Sequence, residues 1–238
     1  MKRAIIIGAT SGIGKELALL LIKENYLVGI TGRRKELLDK LHQQSLGNFI
    51  VSSFDISQTS SIGGELNSLV EQLGGLDLLI LCSGYGDLNP KLNTDIELET
   101  VNTNVNGFTT IACWAHNYFI TQEYGHFAAI SSIAGLRGGR LAPAYNASKA
   151  FQINYLEALR QNLNKKFKKI YITDIRPGFV ETAMAKGDKK FWVATPQKAA
   201  QQILSAIHKK KKVVYVTKRW ELIAILLKII PRSIYEKL

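Results

Sequence analysis

Short runs dominated by Ile, Val, Leu and Ala recur at 4–7, 27–31, 49–53, 76–81, 127–131, 170–175 and 213–217, mostly without intervening polar positions. A strand covered on both faces has no polar side to show, so these seven runs predict a parallel sheet buried above and below. Between them, segments 13–24, 36–44, 62–73, 101–121, 144–163 and 196–208 repeat apolar residues at spacings of three and four, as amphipathic helices do. Alternation of strand and helix predicts an α/β class chain: a doubly wound sheet of about seven parallel strands with helices on both faces. Right-handed crossovers wind it, and ligands bind at the carboxyl ends of its strands. No linker, low-complexity stretch or internal repeat interrupts the pattern, so residues 1–238 read as a single domain.

Composition narrows the class. With 46% apolar and 21% charged residues the chain is globular, neither a disordered tail nor a disulfide scaffold. Its two cysteines, Cys82 and Cys113, lie 31 positions apart and in no CxxC spacing. They predict no metal site and read as buried thiols in a reducing, cytoplasmic setting. A secretory signal is not expected, because Gly8 breaks the first apolar run. The longest apolar stretch, 222–230, contains Lys228 and is far short of the ~20 residues a bilayer span needs.

Charge matters for where it lies. Residues 165–238 carry 18 Lys and Arg against 5 Asp and Glu, whereas residues 1–164 carry 13 against 14. A basic last third can face phosphate, acidic lipid or simply water. No nucleic-acid module accompanies it, so nucleic acid is not an expected partner.

The candidate chemistry begins where the first strand ends, in Gly8-Ala9-Thr10-Ser11-Gly12-Ile13-Gly14, directly before a helix. Such glycines let the backbone turn tightly and approach a pyrophosphate, which helix N-terminal amides stabilise; a plain strand-to-helix turn is the alternative. After the second strand comes Thr31-Gly32-Arg33-Arg34, with no acid until Glu36. A carboxylate there would bond an adenosine ribose, while Arg33 and Arg34 in its place suit a 2′-phosphate, unless they merely start a solvated helix. Asp55, followed by Ile56, can accept from an adenine amino group or cap the helix near Gln58. Tyr145 and Lys149 stand four residues apart, on one face of a predicted helix. A phenol that titrates near pH ~10 becomes an acid-base group at neutrality only beside cations, and Lys149 supplies one. Ser132 ends the fifth strand upstream. Alone, such a Tyr and Lys would be an ordinary surface pair and such a Ser an ordinary cap.

GATSGIG at 8–14, Asp55, Asn104 within Asn104-Val105-Asn106-Gly107, SSIAG at 131–135, YNASK at 145–149 and RPGFVET at 176–182 occur together and in this order. In these pieces the chain resembles the short-chain dehydrogenase/reductase family, over residues 5–182 at least. The resemblance implies a single-domain Rossmann-type fold and nicotinamide-dependent oxidation or reduction of alcohols and carbonyls; with Arg33 and Arg34 favouring NADP(H), the expectation is an NADP(H)-dependent oxidoreductase acting on a secondary alcohol or ketone. It implies Tyr145 as general acid or base, Lys149 holding the nicotinamide ribose and lowering the Tyr145 pKa, Ser132 bonding the substrate oxygen, and Asn104 holding a water. Pro177, Gly178, Val180 and Thr182 would position the carboxamide, and Ser83 and Gly84 would line the adenosine side. The chain departs from the family pattern at Ile7, where threonine is usual, and at Cys82-Ser83-Gly84, where Asn-Ala-Gly is usual. A homodimer or homotetramer is the assembly to expect. The competing reading is a non-enzymatic NADP-binding regulator, or a membrane-surface interaction protein, on the same scaffold.

Residues 183–195 correspond to a substrate lid. Met184, Phe191 and Trp192 suggest an apolar wall, beside Lys186, Lys189 and Lys190, with 136–141 and 85–88 as a second wall. In the tail, 219–238, a helix from Arg219 to Ile230 would gather Ile223, Leu226, Leu227 and Ile230 on one face, yet Leu222, Ile225 and Ile229 leave little polar face opposite. Such a helix packs on the pocket or a dimer partner, or else rests peripherally on a membrane.

Overall fold

The structure, a computed structural model, describes residues 1–45, 48–163, 166–184 and 191–237. Seven parallel strands form one sheet: β1 (Arg3–Ile7), β2 (Leu27–Gly32), β3 (Phe49–Ser53), β4 (Leu78–Leu81), β5 (Gly125–Ile130), β6 (Ile170–Pro177) and β7 (Val213–Val216), in the order β3-β2-β1-β4-β5-β6-β7. Strand β1 shows why continuous apolar runs were required. Ala4 and Ile6 enter one core with Leu17, Leu21, Leu38 and Ile203, from α1 (Gly12–Lys23), α2 (Lys35–Gln44) and α7 (Pro196–His208). Ile5 and Ile7 enter the opposite core with Leu66, Ile111, Phe119 and Leu156, from α3 (Thr59–Leu73), α5 (Phe108–Gln122) and α6 (Pro143–Asn162). Successive side chains of a strand point to opposite faces, so each residue of β1 needs its own apolar layer.

Strand β1 pairs with β2 on one side and β4 on the other, with Ile5 opposite Gly29 and Leu79. The winding reverses there, and connections leaving the two strands diverge. The result is a crevice at their carboxyl ends, where an open parallel sheet binds ligands.

Three elements differ from the sequence reading. The expected helix 101–121 is a π-helical stretch over Asn102–Gly107 followed by α5, and it is preceded by an unexpected helix, α4 (Thr94–Val101). Strand β5 stops at Ile130, so Ser132 lies two residues beyond it and opens a 3₁₀ turn, Ile133–Leu136. The tail forms α8 (Trp220–Ile229) and α9 (Arg232–Tyr235). Trp220 and Ala224 are buried, whereas Leu226, grouped in sequence with Ile223, Leu227 and Ile230, is exposed with Leu222, Ile225 and Ile229. Cys113 is also exposed rather than buried, its Sγ 3.0 Å from the Tyr155 hydroxyl, because that face of α5 meets α6 at the surface. No helix among the described residues is long and apolar enough to cross a membrane.

Candidate active site

Two adjoining clefts occupy the crevice. The first, of about 500 Å³, begins at the glycine turn. The amides of Gly8 and Ala9 donate to the Thr31 carbonyl at 3.0 and 2.9 Å and so tie the turn to β2. Gly8 takes φ +94°, and a Cβ on it would stand 2.6 Å from Ser83 Oγ. Only glycine lets the strand end approach Ser83 so closely. The N-cap of α1, Ser11, makes no side-chain capping bond, so the first amides of this helix face the cleft uncapped by it.

Arg34 Nη2 donates to Thr10 Oγ1 at 2.7 Å and to Ser11 Oγ at 3.2 Å, which makes Arg34 part of the glycine turn's frame. Arg33 is also exposed, with Nη1 3.5 Å from Asp55 Oδ2. Asp55 accepts from the Ser57 amide at 2.9 Å in a local turn; the N-cap of α3 is Gln58. Asp55, Ile56, Ser83 and Gly84 all line this cleft.

The second cleft, of about 400 Å³, holds Ser132, Tyr145, Lys149, Pro177, Gly178 and Val180. It shares Ile13, Cys82, Ile130, Thr182 and Met184 with the first, so the two are continuous. Helix α6 starts at Pro143, a residue suited to the first helical position, and the Ala144 amide donates to Glu97 Oε2 at 2.9 Å. That start puts Tyr145 in the first turn and Lys149 one turn later, both toward the cleft. Ser132 caps its 3₁₀ turn by accepting from the Ala134 amide at 3.1 Å.

Lys149 is buried, and its Nζ donates to the Ile130 carbonyl and to Gln152 Oε1, each at 2.9 Å. Gln152 Nε2 in turn donates to the Asn104 carbonyl at 2.8 Å. The π-helical stretch presents that carbonyl, a role such bulges often have at functional sites. The Asn104 side chain is fully engaged: Oδ1 accepts from the Tyr85 amide at 2.8 Å, and Nδ2 donates to the Tyr85 carbonyl at 2.6 Å and to Ser148 Oγ at 3.0 Å.

Burial pushes the Lys149 ammonium down to about 8, with Asp174 opposing. Desolvation raises the Tyr145 phenol above its ordinary value, and a hydrogen bond with Ser132 counteracts this. The resemblance implied a lowered phenol. In the chain on its own desolvation outweighs that effect, and Lys149 Nζ lies 5.7 Å from the ring centroid.

Gln152, Glu97 and Trp220 were not singled out from sequence. Gln152 follows Lys149 by three positions on one helix, a usable signal. Glu97 reaches α6 across 47 residues and gave none. Trp220 lines the second cleft, its ring packed on Gly178 and against Phe179 (5.4 Å between centroids) and Phe191 (5.0 Å). Met184 joins this wall and Trp192 packs behind it against Trp220, while Lys186, Lys189 and Lys190 lie outside the described residues.

The sequence profile of the short chain dehydrogenase family matches residues 2–191. The chain belongs to this family of oxidoreductases. It is 32% identical over 178 residues to a probable NADP-dependent dehydrogenase of Haemophilus influenzae, covering 74% of this chain and 70% of that one. An uncharacterized oxidoreductase of Staphylococcus aureus is 30% identical over 223 residues, 89% of this chain and 93% of the other. Among solved structures, a short chain dehydrogenase/reductase from Burkholderia phymatum in complex with NAD superposes with TM-score 0.82 at 17% identity, over 94% of this chain and 92% of that one. Serine dehydrogenase from Escherichia coli gives 0.77 at 24%, over 90% and 96%. At these identities the structural matches show a shared fold.

Proposed function

We propose that this short-chain dehydrogenase is an NADP(H)-dependent oxidoreductase that interconverts a ketone with the secondary alcohol, or an aldehyde with the primary alcohol, that corresponds to it, with Tyr145 as the proton-transfer residue. The observation that carries the reading is the convergence of Ser132, Tyr145 and Lys149 in a cleft continuous with the glycine turn.

The residues present fit a dinucleotide. Gly8, Gly12 and Gly14 carry no side chain at the turn, its helix start lacks a side-chain cap, and Arg33 and Arg34 line the same cleft. Gly8, Thr10, Ser11, Gly12, Ile13 and Gly14 would hold the pyrophosphate, Arg33 and Arg34 the 2′-phosphate, and Asp55, Ile56, Ser83 and Gly84 the adenosine. Lys149, Pro177, Gly178, Val180 and Thr182 would hold the nicotinamide end. When bound, the nicotinamide supplies or accepts the hydride.

The chain's own part is proton transfer and alignment. Desolvation keeps the Tyr145 Oη proton in place, so the phenol is ready to deliver it to a carbonyl oxygen that is gaining negative charge. Ser132 Oγ donates a second hydrogen bond to that oxygen. Lys149, fixed by Ile130 and Gln152, keeps one ammonium N–H for a ribose hydroxyl. The aromatic wall of Phe179, Phe191 and Trp220 favours a substrate with an apolar part and keeps water from the transfer.

The test is NADPH oxidation, followed by fluorescence, against a panel of ketones and aldehydes, with NADPH affinity measured in parallel. Turnover of a panel member is the expected result. Tight NADPH binding with silence across the panel would favour a nucleotide-binding regulator.

A further inference from the structure

Helix α8 is two-faced in an unusual sense. Trp220 and Ala224 bury its inner side, while the outer side is also aliphatic: Leu222, Ile225, Leu226 and Ile229 are 66%, 54%, 48% and 70% exposed. Their spacing of three, one and three puts them in one stripe along the helix. The stripe does not stop at the helix. Trp220 meets both Phe191 and Trp192, and Phe191, Trp192 and Val193 are exposed as well, so the apolar surface extends to the rim of the second cleft. The helix is held in this attitude at its far end: Arg137 Nη2 donates to the Ile230 carbonyl at 3.2 Å, and the Tyr235 hydroxyl donates to the Gly138 carbonyl at 2.7 Å.

Basic side chains frame the stripe. Lys218 and Arg219 stand exposed at its start, Lys228 and Arg232 at its end, with Lys237 beyond; Glu221 and Glu236 are the only acids in 218–237. An aliphatic stripe with a cationic border is the surface that lies at the interface of an anionic bilayer, with apolar side chains among the acyl chains and cations at the headgroups. A second copy of this chain is the poorer occupant. A two-fold pairing would bring the same cations face to face, and one ten-residue helix is short of the ~20 to 30 residues a stable interface uses on each side. We propose that α8, with the adjoining rim at 191–193, is a docking surface for anionic phospholipid membranes. It works as a peripheral contact, and it is independent of the reaction assigned to the cleft.

The test is flotation of the full-length protein with phosphatidylcholine vesicles, with and without phosphatidylglycerol, at low and high salt. Molar mass in solution is read in parallel by light scattering. The protein should float with the anionic vesicles at low salt and be released by high salt. I225S/I229S should lower partitioning about tenfold or more per site, and each of K218E and K228E by about fivefold or more. These side chains are mostly exposed, so the melting temperature should hold and certify folding. Failure to float with anionic vesicles at low salt overturns the proposal. So does flotation that survives I225S/I229S, or a solution dimer that these substitutions split while vesicles are ignored.

Discussion

Lys149 Nζ is joined to the Asn104 carbonyl through one side chain, Gln152, with 2.9 Å on the lysine side and 2.8 Å on the asparagine side. The chain therefore holds its buried ammonium by a relay from α6 to the π-helical stretch. The relay leaves the ammonium uncompensated by any direct carboxylate contact, so burial dominates and the pKa falls to about 8.

A pH dependence follows from that value. With the folded pKa below the ordinary one, the unfolded chain binds more protons between pH about 8 and 10.5, so Lys149 makes stability rise with pH across that window. Below about 8 the ammonium is charged in both states and the burial cost is fully present. NADPH affinity should move the other way, weakening as pH rises through about 8 while the ammonium is lost. Lys149→Met should weaken binding at neutral pH and remove that step; titration calorimetry across pH 6 to 10 checks it.

Tyr145→Phe removes the transferable proton and keeps the ring. Turnover should fall at least about a hundredfold while NADPH affinity stays within a few-fold. Steady-state kinetics beside a fluorescence binding titration reads both, and retention of near-wild-type kcat would sink the role given to the phenol.

Arg33 and Arg34 should behave differently. Arg33→Ala removes a guanidinium whose contact within the chain is the 3.5 Å pairing with Asp55 and which would face a 2′-phosphate, at a cost of ~1.5 to 3 kcal/mol, and should narrow the NADPH over NADH preference about ten- to a hundredfold. Arg34 braces Thr10 and Ser11, so Arg34→Ala should weaken both cofactors with a smaller change in their ratio. Dissociation constants for the two nucleotides decide between these outcomes.

Trp220 should matter for both stability and substrate choice. Trp220→Ala opens a cavity against Gly178 and Phe179, costing ~3 to 5 kcal/mol, or about 10 °C in Tm. Substrates larger than those of the wild-type enzyme should then gain in relative kcat/KM. Gly178→Ala approaches the same contact from the other side and should also be destabilising, since a Cβ there collides with the indole.

Much of this was legible in the chain, for identifiable reasons. Strand β1 is readable because both of its faces are covered, so Ala4 through Ile7 form an unbroken apolar run. Tyr145 and Lys149 are readable because i and i+4 share a helix face. The π-helical stretch was not, because one extra residue per turn changes backbone pairing without changing the polarity of Asn102–Gly107, and 101–121 looks like one helix. Helix α4 buries only Thr100, so it lacks the stripe that would have announced it. The orientation of α8 was hidden for the opposite reason: a helix apolar all round has no preferred face in sequence, so nothing marked Leu222, Ile225, Leu226 and Ile229 as the exposed side. Three-dimensional relays such as Glu97 to Ala144 leave no local trace.

The position of Trp220 separates two kinds of inheritance within one pocket. Glycine turn, Ser132, Tyr145 and Lys149 all fall within residues 2–191, the stretch matched by the family profile. Trp220, a wall of the same pocket, falls outside it. A substitution at Trp220 can therefore redraw the shape of the pocket without touching the Ser132, Tyr145 and Lys149 side chains. For an engineer, Trp220 is the tail position at which to vary the pocket wall.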